Sequence, residues 1–113
     1  MRYLISSILF LISFAISAQE YKDEISVVQF SAGFVKESEI NLKSFRECHV
    51  YTFYIEKNKN YFDAESIKYL PTILLFQNGK EVMRVETGIS MKFPENTNKQ
   101  IRKKIEELIG NKF

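Results

Sequence analysis

Apolar residues along this chain recur in two rhythms, one of strands and one of helices. Ile25 to Phe30 holds Val27, Val28 and Phe30 with no helical period, which predicts a strand. Val50 to Glu56 is nearly continuous in Val50, Tyr51, Phe53, Tyr54 and Ile55, the pattern of a central parallel strand covered on both faces. Thr72 to Phe76 is a β-branched and apolar run, too short for a buried helix and bounded by Pro71. Asn78-Gly79 supplies the two positive-φ residues of a type I′ turn, and Lys80 to Glu86 returns with Val82 and Val85 among polar neighbours. That pair is an antiparallel hairpin. Helical spacing is predicted in three places. Glu37 to Phe45 is weakly amphipathic through Ile40, Leu42 and Phe45, and Tyr61 to Lys68, after a polar break at Asn58 to Asn60, turns Ala64 and Ile67 inward. Thr97 caps the third with Gln100 in capping-box spacing, Ile101, Ile105, Leu108 and Ile109 form one apolar stripe, and Gly110 ends it.

One apolar run fits neither rhythm. Met1-Arg2 is a short positive start, Tyr3 to Ile16 is almost wholly apolar, and Ser17-Ala18 closes it with small residues. This is the anatomy of a secretory signal peptide, with cleavage expected after Ala18 and a single domain over 19–113. The run falls short of the roughly 20 apolar residues that span a bilayer, so an uncleaved anchor is the lesser alternative. With cleavage, no membrane span is left in the remaining chain, and the expected location is secreted or periplasmic.

Composition narrows the function. The chain of 113 residues carries 16 basic and 14 acidic side chains, and removing Arg2 with the leader lowers the formal charge from +2 to +1. No basic stretch is interleaved with exposed aromatics, so a nucleic-acid groove is not expected. One cysteine cannot form an intrachain disulfide, and one cysteine with one histidine is too few for a metal site of three or four protein ligands. Neither metal nor cofactor is expected.

From Leu70 to Gly88 the chain resembles the C-terminal half of the thioredoxin family. That family has an Ile-Pro-Thr step with a cis proline, an apolar strand, an Asn-Gly turn and a second strand ending near glycine. Leu70-Pro71-Thr72, Asn78-Gly79 and Gly88 match those places without a gap. Upstream, Ile67-Lys68-Tyr69 resembles the family's Ile-Arg-Gly, and Tyr54-Ile55-Glu56 its Asn-Ile-Asp strand end. Phe30-Ser31-Ala32-Gly33-Phe34 resembles the Phe-Trp-Ala-x-Trp approach to the active site. The resemblance implies an α/β fold: a minimal thioredoxin-like β-α-β-α-β-β-α order, with a mixed four-stranded sheet flanked by helices.

The resemblance also marks what is missing. Val35-Lys36-Glu37-Ser38 stands where the redox C-x-x-C pair would be, and Gln29 stands where the family keeps a buried aspartate. The chain is about two helical turns shorter than the family between Phe30 and Ile55, so the deletion falls either in the helix or in the active-site loop. With the deletion in the helix, the resemblance makes Val35 and Ser38 the degenerate active-site positions, and on either placement catalytic residues are not expected. What the resemblance leaves is a surface for a protein or extended peptide, carried by Phe34, Leu70, Pro71, Thr72 and Gly88. Backbone pairing beside the proline needs no sulfur. Leu70 and Phe34 are equally well read as residues that finish the core.

Two alternatives stay open. Cys48 could act as a single thiol, in thiol–disulfide exchange or a disulfide-linked dimer, although it precedes the parallel strand and lies roughly 20 Å of extended chain from the expected site. The chain could also be a small structural subunit of an envelope complex. The cluster Lys99, Arg102, Lys103 and Lys104 reads as a solvated helix face.

Overall fold

The computed structural model describes residues 20–112, so the leader expected over residues 1–18 lies outside the described residues. Four strands form one mixed sheet: β1 (Ile25–Ser31), β2 (His49–Tyr54), β3 (Thr72–Gln77) and β4 (Lys80–Glu86). Their order is β2-β1-β3-β4, with β1 parallel to β2 and antiparallel to β3, and β3 antiparallel to β4. Two α-helices flank the sheet, α1 (Ile55–Ala64) and α2 (Thr97–Lys112). No helix of the described residues is long and apolar enough to cross a membrane.

Alternation along the inner strands sorts the core into two chemically different halves. Ile25, Val27, Ile73 and Leu75 meet Ile101, Ile105 and Leu108 of α2 in an aliphatic cluster that also takes in Leu42 and Phe45. On the other face Val28, Phe30, Leu74 and Phe76 meet Tyr21 and Phe62, with Tyr51, Phe53 and Tyr61 at the margin. The rings there pack largely edge-on, Phe30 against Phe62 at 5.0 Å and Tyr21 against Phe53 at 5.4 Å, the arrangement their quadrupoles favour. The predicted hairpin is present: Asn78 has φ 50° and Gly79 φ 87°, and β4 begins at Lys80.

The structure departs from the sequence reading in four elements. The expected helix over Glu37 to Phe45 is instead two 3-10 turns, Gly33–Ser38 and Leu42–Ser44. Gln29 supplies the reason. Its buried amide accepts from the Ile40 N–H and donates to the Ile40 carbonyl, both at 2.9 Å, taking the two backbone groups a helix would have used. Second, β2 is an edge strand, not a central one, and its residues are exposed or half-buried, because the described residues place nothing beyond it. It also stops at Tyr54, with Ile55 and Glu56 opening α1.

Third, α1 starts six residues earlier than expected and ends at Ala64, which is exposed. The expected polar break survives only as a kink at Asn58 (φ −132°, ψ 40°), and Phe62 rather than Ala64 is the buried anchor. Ile67, beyond the helix, packs at the margin of the aromatic cluster. Fourth, α2 runs through Gly110 to Lys112. At its start the Thr97 hydroxyl donates to the Pro94 carbonyl at 2.7 Å, so the threonine turns back onto the preceding turn instead of forming the expected capping box.

Candidate functional site

Register decides which loops share an end of the sheet. Ser31 pairs with Tyr54, Phe30 with Thr72, and Thr72 with Glu86. The C-terminal ends of β1, β2 and β4 therefore meet the N-terminal end of β3. The segments at 32–38, 55–56, 69–71 and 87–91 all leave from that one end.

Each segment is fixed by local chemistry. The Gly33 N–H donates to a Glu56 carboxylate oxygen at 2.8 Å, tying the turn after β1 to the first turn of α1. Glu39 accepts from the Ser31 hydroxyl at 2.7 Å and from the Tyr54 hydroxyl at 3.2 Å. Desolvation first, then this bond to a carboxylate, raises the Tyr54 pKa. The Leu70–Pro71 peptide bond is cis. The Thr72 hydroxyl donates to the Tyr69 carbonyl at 2.6 Å, bracing the backbone on either side of the proline. Among the described residues no hydrogen bond engages the backbone of Leu70. Gly88, at φ 72°, turns the chain out of β4, and Met91 sits in the left-handed region at φ 58°, uncommon outside glycine.

The exposed apolar surface collects here. Among the described residues five large hydrophobic side chains are exposed, and four of them lie on these segments: Phe34 (74%), Ile89 (92%), Tyr69 and Met91. The fifth, Val50, is on β2. Of the residues the sequence singled out, Phe34 is a surface residue and does not finish the core. Leu70 is half-buried against the aromatic cluster, and Pro71 and Thr72 are buried. Val35 is buried with non-helical dihedrals, and Ser38 is half-buried. Tyr69, Ile89 and Met91 were missed. Their signal in the sequence was an apolar side chain inside an otherwise polar connection.

The opposite end carries the thiol. Cys48 stands just before β2, half-buried against the aliphatic cluster, with its sulfur 3.8 Å from the Phe45 carbonyl. Burial, with help from the Glu47 carboxylate, pushes its pKa up to about 11. His49 points elsewhere, to Glu24 at 3.2 Å, so the adjacent cysteine and histidine do not form a pair. Arg46 and Glu47 complete a shallow, polar depression with Glu24 and Ile25. No group of three or more candidate ligands that could hold a metal occurs among the described residues.

No protein-family model matches this chain, and no curated protein does. Solved structures do. A thioredoxin of Nicotiana alata superposes with a TM-score of 0.60 at 20% identity, covering 84% of this chain and 82% of that one. A Plasmodium falciparum thioredoxin gives 0.56 at 18% identity over 74% and 84% of the two chains. One from Fasciola hepatica gives 0.51 at 22% identity over 67% and 80%. The fold is thioredoxin-like, and with one cysteine in the sequence the C-x-x-C pair is absent.

Proposed function

We propose that this thioredoxin-like chain is a secreted or periplasmic module that binds a protein or extended peptide, and that it does not carry out dithiol–disulfide exchange. The observation that carries the reading is the gathering of Phe34, Tyr69, Ile89 and Met91 on the loops at one end of the sheet. Leaving that much apolar surface in water is unfavourable, and its concentration at one end of the sheet is what a contact surface would show. The unengaged backbone of Leu70 beside Pro71 supports the mode, since an extended peptide pairs with such groups and lays its side chains on the surrounding rings.

The same geometry disfavours catalysis. Exchange needs an accessible thiolate and a second thiol to resolve the mixed disulfide. Cys48 is alone, half-buried, held protonated and at the far end of the sheet.

The test uses the purified protein as bait on the native extracellular or periplasmic fraction, beside a variant carrying both Phe34→Ala and Ile89→Ser. Capture is expected to fall to background in the variant while its unfolding midpoint stays with that of the parent. Undiminished capture would exclude this surface. Reduction of insulin disulfides should not exceed the reductant alone, and turnover abolished by Cys48→Ser would restore the single-thiol alternative.

A further inference from the structure

The two edges of the sheet are built differently. β4 presents Lys80, Glu81, Arg84 and Glu86, and its pairing with β3 is interrupted by an irregularity at Leu75/Phe76. Charges and bulges of this kind discourage another strand from adding to an edge. β2 has neither. From Val50 to Tyr54 it holds no charge, proline or glycine, and its pairing with β1 runs without interruption. Among the described residues no backbone hydrogen bond outside the sheet reaches it.

We propose that the β2 edge pairs antiparallel with β2 of a second copy of this chain, about a two-fold axis through Thr52. Val50-Tyr51-Thr52-Phe53-Tyr54 is close to a chemical palindrome. Centred on Thr52, the register sets threonine opposite threonine, Tyr51 opposite Phe53 of the second copy, and Val50 opposite Tyr54. These are the three kinds of cross-strand pair that stabilise antiparallel sheets: hydroxyl with hydroxyl, aromatic with aromatic, and β-branched with aromatic. A two-fold axis normal to the sheet keeps each face on its own side, so partners must share parity, as all of these do.

Tyr51 and Phe53 already stack on one another at 5.9 Å on the margin of the aromatic cluster. Pairing places the matching two rings of the second copy beside them and continues that cluster across the junction. Val50, among the described residues the one exposed large hydrophobic side chain away from the loop surface, lies on the opposite face of the strand and is covered by the partner's Tyr54 position. A symmetric arrangement with no charge at any position fits a second copy better than a charged or irregular partner strand. The edge is separate from the loop surface, so either can hold without the other.

The experiment is sedimentation of the purified protein across the micromolar range, with Thr52→Lys and Thr52→Glu variants. Thr52 is exposed, so neither change enters the core. The parent is expected to be a dimer. Each variant alone is expected to be a monomer, because like charges would face each other across the axis. An equimolar mixture is expected to return to a dimer containing one of each, and that recovery shows both variants to be folded. A monomeric parent, with the edge left to solvent or taken by residues 1–19, overturns the proposal. So does a dimer indifferent to the charge at Thr52, or dissociation that mixing does not reverse.

Discussion

The two ends of this sheet carry opposite kinds of surface. Where β1, β2 and β4 finish, four apolar side chains face water around a cis proline. Where β2 begins, the surface is Glu24, Arg46, Glu47 and His49, and the one thiol is tucked against the aliphatic core. In a thioredoxin-like fold the first end is where sulfur chemistry is expected, yet here it has exposed apolar side chains without the sulfur, and the other end has a sulfur in a polar surround. The exposed apolar surface and the thiol thus lie at opposite ends of one scaffold.

Perturbing what both ends share should have the largest effect. Ile105→Ala removes a buried aliphatic side chain from the α2 face of the core. It should lower the unfolding free energy by ~2–5 kcal/mol in a denaturant titration. Partner capture and thiol protection should then decline together, in proportion to the unfolded fraction. Loss at one end only would mean that the ends unfold as separate units.

Gln29→Leu sharpens the comparison by acting on the loop end. It leaves the Ile40 N–H and carbonyl without the amide that holds them. Unfolding free energy should fall by roughly 1–3 kcal/mol. Capture should weaken beyond that loss, because the turn bearing Phe34 is no longer braced, while Cys48 alkylation in the native state stays slow. Equal changes at both ends would break the assignment of Gln29 to the loop end.

The smallest effect belongs to Cys48. With its pKa at about 11 instead of 9.0, roughly 100-fold less thiolate is present near pH 8 than in a free thiol, and alkylation should be slow by about that factor. The sign of the stability effect follows. The unfolded chain gives up this proton first, so above about pH 9 it holds fewer protons than the native state. The stability contributed by the buried thiol is whole below pH 9 and is lost as pH rises through 11. Tyr21 and Tyr54, whose pKa values are also raised, add slope of the same sign. Comparison of the parent with Cys48→Ala over pH 8 to 11 by thermal unfolding isolates the thiol. Equal slopes would leave it no such role.

The hairpin, the strand β1 and the stripe of α2 were legible in sequence because each is fixed by a local period or a turn with one chemical solution. Asn78-Gly79 is the clearest case. The segment between β1 and β2 was not legible, since a helical pattern at Ile40, Leu42 and Phe45 lost to a side chain eleven residues earlier, a contact no local window contains. The edge position of β2 was hidden for a related reason. A continuous apolar run means burial on two faces or pairing with something else, and the run alone does not distinguish them. At the loop end, Phe34 and Pro71 were found through resemblance. Ile89 and Met91 belong to no periodic element and had no resemblance to carry them.

The placement of β1 between β2 and β3 has a consequence for synthesis. All seven of its residues are buried in the finished fold, and its two neighbours come later in the chain, β3 ending only at Gln77. Tyr21 and Lys22, just before it, also wait for later anchors, the Glu65 carboxylate and the Gly79 N–H that follows β3. A ribosome thus releases the most fully buried strand of the domain first and its last shield, the apolar face of α2, only after all the other strands. In that interval the segment Ile25–Ser31 lacks the cover it has in the finished fold, and there a holding chaperone would guard against premature association with another chain.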